Sequence, residues 1–324
     1  MRKNPRRRTL KKILEFKKDL RTIGLKKANF ARLDLTEKDL SNLNLSGSKF
    51  KKANMKKANL SRSNFQYSCF YKTNLKETQF IATNCQGSDF SKAIFSGANL
   101  TGAHLRKINA FKSNMKGVIL KGAILEESDL RNADLNSCQA EKAVLKKANL
   151  TSAVLRQGDF HGANLEAAVL TEVKAEKANF SGCFLRKSSL IGAVLQDTEF
   201  YQADLTEANF RFASLHGAKL DGAILKQADF RYSFGLTYEK NKYLHDNGAK
   251  VSFLWYKMET TVRYILGHLW SRLLLTAFLT ALGIASFSIS TTLSVKVFHL
   301  SHISFKSPET TNNMKKPFKS IRFL

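Results

Sequence analysis

Motifs of catalysis are missing from this 324-residue sequence. It has no Walker A loop to cradle a phosphate chain, no dinucleotide-binding glycine fingerprint and no nucleophile elbow. Histidine is sparse and scattered: His104, His161 and His216 lie far apart, and His299 and His302 have no carboxylate or cysteine at metal-site spacing. These absences argue against an enzyme and leave no cofactor to expect. Cysteine is scarce too. Cys69, Cys85, Cys138 and Cys183 show neither metal-ligand nor disulfide spacing and read as small apolar thiols in a reducing compartment. No secretory h-region is expected near the N-terminus, where the longest apolar run is Ile13-Leu14. Acidic side chains are outnumbered, 26 against 53 basic, for a formal net charge of +27. That excess predicts an anionic partner: phospholipid headgroups, nucleic acid or an acidic protein.

What the chain does have is a period of five. From Leu25 to Phe230 a bulky apolar residue stands at every position divisible by five, the exceptions being Cys85, Ala110, Ala140 and Ala175. Two residues earlier comes a small one, as at Ala28, Ala53, Ser63 and Ala98, and between the two a polar residue that is often Asn or Asp. Five matches neither the 3.6-residue period of a helix nor the 2.0 of a strand. Such strictness implies the same corner turned repeatedly, with one large and one small side chain per unit facing inward. Four short sides make a square coil of twenty residues, and stacked coils pair at ~4.8 Å. About ten coils would rise roughly 50 Å. Glycine and asparagine suit the corners, and Gly97, Gly102, Gly117, Gly122, Gly162, Gly217 and Gly222 recur two places after the bulky residue.

Units such as Ala98-Asn99-Leu100-Thr101-Gly102, Ala163-Asn164-Leu165, Ala203-Asp204-Leu205 and Ala208-Asn209-Phe210 give the chain a motif. It resembles the pentapeptide-repeat family, whose pattern is A-(D/N)-L-x-x. The resemblance implies an all-β solenoid, a right-handed quadrilateral β-helix, with the handedness taken from the family. Leu33, Leu43, Ile108 and Val118 depart from the small-residue preference, so their coils are expected to be widened or less ideal. The best-understood activity in such a family is mimicry of duplex DNA toward gyrase, which calls for an acidic surface.

Stacking makes residues twenty apart direct neighbours. Phe30, Phe50, Phe70 and Phe90 then form one inward column, and Phe160, Phe180 and Phe200 another. On the outside, Arg32, Lys52, Lys72, Lys92 and Lys112 stack on one corner as a candidate anion-binding ladder, with Lys51, Lys56 and Lys57 at the same end. Charge is uneven along the chain. Residues 25–121 carry 18 basic and 5 acidic side chains, whereas residues 122–235 carry 13 and 15. Outward aromatics are few, Tyr67, Tyr71 and Phe111, which counts against nucleic-acid binding.

The flanks read differently. Residues 1–24 suggest a basic helical cap or arm, with Leu10, Ile13, Leu14, Leu20 and Ile23 at helical spacing. The repeat is placed at 25–235. A helical cap and linker follow at 236–262, where Thr237 is the N-cap and Asn247-Gly248 the stop. Residues 273–295 contain no ionisable side chain, and as a helix they would span ~34 Å against a hydrocarbon core of ~30 Å. Trp255, Tyr256, Arg263, Tyr264, Trp270 and Arg272 on one side and Lys296 on the other are the expected interface anchors. The segment 263–296 is therefore expected to be a membrane-anchor helix, followed by a basic disordered tail at 297–324. The alternative for that helix is dimerisation, as in some gyrase-directed relatives of the resembled family.

The functional expectation is a non-enzymatic, membrane-anchored binding or scaffold protein, monomer or homodimer, with its repeat domain in the cytoplasm. Its basic face would meet a protein partner or anionic lipid. Nucleic-acid binding is the alternative, and export as an effector is a further one.

Overall fold

The structure, a computed structural model, describes residues 24–252. The chain divides into two compact units, Met1–Met258 and Glu259–Leu324, and all of the described residues belong to the first. Parallel bridges join residues twenty apart. They begin with Asn29↔Lys49, Asp34↔Asn54, Asp39↔Asn59 and Asn44↔Asn64, one per side of the coil, and continue with the same offset to Ser214↔Phe234.

Backbone accounting explains the motif. In the unit around Phe50, the Phe50 N–H donates to Cys69 O at 2.7 Å, and the Lys52 N–H donates to Tyr71 O at 3.0 Å. The Ala53 N–H closes a turn onto Phe50 O at 2.8 Å, and the Asn54 N–H reaches back to Leu33 O at 3.0 Å. One N–H per unit remains, on the first corner residue. The Asn or Asp just before the bulky residue takes it: Ala31 N donates to Asn29 Oδ1 at 3.0 Å, and Thr101 N to Asn99 Oδ1 at 3.0 Å. A short carboxylate or amide is needed there because only it reaches a backbone donor two residues on.

The interior is dry and continuous. Every fifth residue from Leu25 to Phe230 is buried. Phe30, Phe50, Phe70 and Phe90 stack with centroids 4.9, 4.8 and 4.6 Å apart. Phe65 and Phe80 meet this column edge-on, at 5.4 Å and 6.3 Å from Phe70. Lateral contacts of this kind are invisible in a reading by single columns. The small positions beside the phenylalanines carry hydroxyls that add their own ladder. Ser48, Ser68 and Ser88 each donate to a carbonyl one coil below (Leu25 O, Leu45 O and Phe65 O) at 2.9, 3.0 and 2.7 Å.

The coils holding Leu33, Leu43, Ile108 and Val118 are not widened along the axis. Ladder bonds onto their carbonyls measure 3.0, 2.9, 2.9 and 2.9 Å, like those elsewhere. Part of the reason is an exchange of volume within one unit. Ile108 occupies the small position where the bulky one is Ala110, and Val173 does the same beside Ala175. The interior conserves what it fills, not which position fills it.

Corners also differ from expectation. The second corner residue has positive φ in every unit from Lys27 to Tyr232, and glycine occupies only eleven of those positions. Lysine occupies as many, at φ near 57° in Lys52, Lys57 and Lys92. A side chain in this region costs on the order of 1 kcal/mol. The N–H bond to the next coil and the turn bond beside it offset that cost, so the stack imposes the conformation on whatever residue stands there.

At the C-terminal end α1, Tyr238–Asp246, is spliced into the last turn of the coil. Thr237 caps it by accepting from the Lys240 N–H at 3.3 Å, and Leu244 is fully buried. The chain then rejoins the ladder, Phe230 N donating to Lys250 O at 2.7 Å and Lys250 N to Ala228 O at 2.7 Å. Two substitutions test the packing. Phe70→Ala should destabilise the fold by roughly 3–5 kcal/mol. Gly158→Ala would bring a methyl within 2.8 Å of Phe160 and 3.0 Å of Leu155 O. Thermal unfolding should show a lower midpoint for both than for Gly102→Ala, whose added methyl meets nothing within 4 Å.

Candidate functional site

The four corners of the coil are chemically unequal. The corner built from residues 31 and 32 and their equivalents at each twenty-residue step carries nine basic side chains and one acid, Glu172. The corner starting at 26 and 27 has nine bases and four acids, that at 36 and 37 has six and four, and that at 41 and 42 has three and two. Arg32, Lys52, Lys72, Lys92 and Lys112 all stand on the first of these, each exposed and each at the positive-φ position of its turn. None of the five forms an ion pair among the described residues.

Other corners and sides treat charge differently. Lys107–Glu127 at 3.3 Å, Lys121–Glu141, Lys146–Glu166 and Lys219–Glu199 at 2.9 Å each pair opposite charges one coil apart. There the twenty-residue step alternates sign. On the cationic corner it repeats sign, and exposed like charges one rung apart repel by about 1 kcal/mol in water.

Aromatic rings stand beside these cations. Tyr71 has Lys51 and Lys72 each 5.4 Å from its centroid, and Phe111 has Lys112 at 5.1 Å and Arg131 at 5.7 Å. The same corner is aromatic again in its last two coils. Phe212 and Tyr232 are exposed and stack at 5.3 Å, with Arg211 5.5 Å from both rings. Sequence reading missed this second cluster, although following the column from Lys112 in steps of twenty would have reached it. Tyr67 lies on a different corner, one coil below Gly87.

A family model described as pentapeptide repeats (8 copies) matches segments that run from 25–62 to 208–233. The chain belongs to the pentapeptide-repeat family. Its coil is accordingly a right-handed quadrilateral β-helix, and pentapeptide-repeat proteins are generally non-catalytic. Among solved structures it is similar to HetL, a pentapeptide-repeat protein involved in heterocyst differentiation regulation in the cyanobacterium Nostoc sp. strain PCC 7120. That match has 26% identity and a TM-score of 0.42, covering 71% of this chain and 97% of that one. The plasmid-mediated fluoroquinolone resistance protein QnrB1 matches at 19% identity and TM-score 0.29, over 70% of this chain and 93% of that one. A thylakoid-lumen pentapeptide-repeat protein from Arabidopsis thaliana matches at 22% identity and TM-score 0.27, over 43% and 82%. No curated protein matches the chain.

Two arginines of the pentapeptide-repeat corner are neutralised by the adjoining side. Arg131 forks onto Asp129 at 2.9 and 2.7 Å, and Arg231 onto Asp229 at 2.9 and 2.6 Å. Those bonds hold both carboxyls below the usual carboxylate range. The ladder itself has no such relief. Among the described residues no group of three His, Cys, Asp or Glu could hold a metal. Burial pushes the Cys183 thiol up to about 12 and raises Cys85 and Cys138 as well, which leaves them inert.

The anchors Trp255, Tyr256, Arg263, Tyr264, Trp270, Arg272 and Lys296 lie outside the described residues, as does 273–295. Among the described residues no helix is long and apolar enough to cross a membrane. Self-repulsion on the corner has a thermal signature. Replacing Lys52, Lys72 and Lys92 with Gln, a residue that already adopts this turn at Gln157 and Gln202, should raise the unfolding midpoint at low salt. The gain should disappear in high salt. An unchanged midpoint at low salt would show that the lysines fan apart without strain.

Proposed function

We infer that this pentapeptide-repeat protein is a non-enzymatic, membrane-anchored scaffold that offers its cationic corner to an anionic partner. One observation carries the reading: nine bases share a corner with one acid, while elsewhere the same stacking step produces ion pairs. A column that repeats positive charge gains when an anionic surface replaces its water and counterions. The anchor is supported by sequence: residues 273–295 lack ionisable side chains and are bracketed by aromatic and basic residues. Activity as a DNA mimic does not suit this protein, since residues 25–121 carry 18 basic side chains against 5 acidic ones. Fold alone transfers no activity.

Membrane fractionation tests the anchor. The full chain should sediment with membranes and stay there through high-salt and alkaline washing. A chain ending at Met258, the close of the first compact unit, should be released. If both versions stay in the supernatant, there is no anchor.

A further inference from the structure

The cationic corner has features beyond charge, and together they select among anionic partners. It is regular where the ladder stands, one cation to each coil. The bridges beside it keep the twenty-residue offset from Asn29↔Lys49 to Asp89↔Asn109, with no residue inserted or dropped. The ladder residues also stand at the outermost turn of the coil, on a convex edge and not in a groove.

Each of its aromatic rings already has a cation against it. Lys51 and Lys72 both approach the Tyr71 ring, Phe111 has Lys112 and Arg131, and Arg211 reaches both Phe212 and Tyr232. Phe212 and Tyr232 also take one face of each other by stacking. Binding of single-stranded nucleic acid uses open ring faces on which bases stack. Rings flanked by long basic chains fit a lipid headgroup region instead, where the ring enters the interface and the cation extends to phosphate.

The last described residue also reaches this corner. Tyr232 N donates to Ser252 Oγ at 2.8 Å, and Phe253, Leu254, Trp255 and Tyr256 come next in sequence.

We propose that this corner is a membrane-contact edge: the β-helix lies along an anionic phospholipid bilayer, with Arg32, Lys52, Lys72, Lys92 and Lys112 on headgroup phosphates and Phe212 and Tyr232 in the interface. The proposal rests on the membrane reading above and adds to it the lipid class and the face that is applied. Scaffold partners are then left the opposite corner, which holds three bases and two acids.

Lysine footprinting on the full chain tests it. The protein is reconstituted into vesicles of phosphatidylcholine alone and of phosphatidylcholine with phosphatidylserine, briefly acylated, and read by mass spectrometry. Modification of Lys52, Lys72, Lys92 and Lys112 should fall several-fold on the anionic vesicles. Lys142 and Lys177, on other corners, should not change. In the double variant Phe212→Ser with Tyr232→Ser, high salt should abolish a protection that it only weakens in the unaltered protein. Serine already takes this turn at Ser137 and Ser152, and a retained β-type circular dichroism spectrum confirms the variant's fold. Equal labelling on both vesicles, with the protein still floating, overturns the edge and leaves the anchor standing. Failure to float with either vesicle overturns the anchor as well. Protection by single-stranded RNA without protection by anionic vesicles gives the corner to nucleic acid and also overturns the proposal.

Discussion

The coil from Leu25 to Phe234 follows from pairing each residue with the one twenty places on. That pairing can repeat only if each side ends in a corner of the same shape, and the corner needs a positive φ. The interior stack and the interstrand bonds make that backbone worth adopting, even for Lys, Glu, Phe and Tyr. Because strain is met collectively, the identity of the corner residue is released from folding. Selection can then place charge or aromatic rings there with little effect on the coil.

That release explains what could and could not be read from the sequence. Bulky and small positions are tied to the core, so their period of five exposed the coil, its twenty-residue step and the inward phenylalanine columns. Asn and Asp before the bulky residue were visible as a preference, but their reason, capping the first corner N–H, emerges only from the hydrogen bonds of Asn29 and Asn99. The conformation of Lys52 or Lys92 was not legible, since lysine does not announce a left-handed turn. Nor was the exchange of size between Ile108 and Ala110, which appears as two separate exceptions until both are seen to fill one cross-section. The ladder was found by counting in twenties. Phe212 and Tyr232 belong to the same corner and were overlooked because an interval with neither cation nor ring in this column, from Asn132 through Ser152 and Glu172 to Gly192, interrupts it.

The functional argument rests on contrast within one molecule. The same geometric step yields Lys146–Glu166 on one corner and Lys72 above Lys52 on another. A charge pattern spread evenly for solubility would not distinguish corners so sharply. The cost of the repeated sign is modest at the surface, on the order of 1 kcal/mol per neighbouring pair. It becomes a gain when the opposing surface is anionic. The neutral and salt-bridged corners supply the internal comparison that a bare net charge of +27 cannot.

Relocating charge tests this most directly. Lys52, Lys72 and Lys92 would be changed to Ser while Ala82, Gly102 and Gly122 become Lys, all at positive-φ corner positions, and the added side chains at Gly102 and Gly122 enter open space. Net charge is unchanged; only the corner differs. The preference of the full chain for anionic over neutral vesicles should be largely lost. An undiminished preference would mean that total charge, not its placement on one corner, governs the interaction.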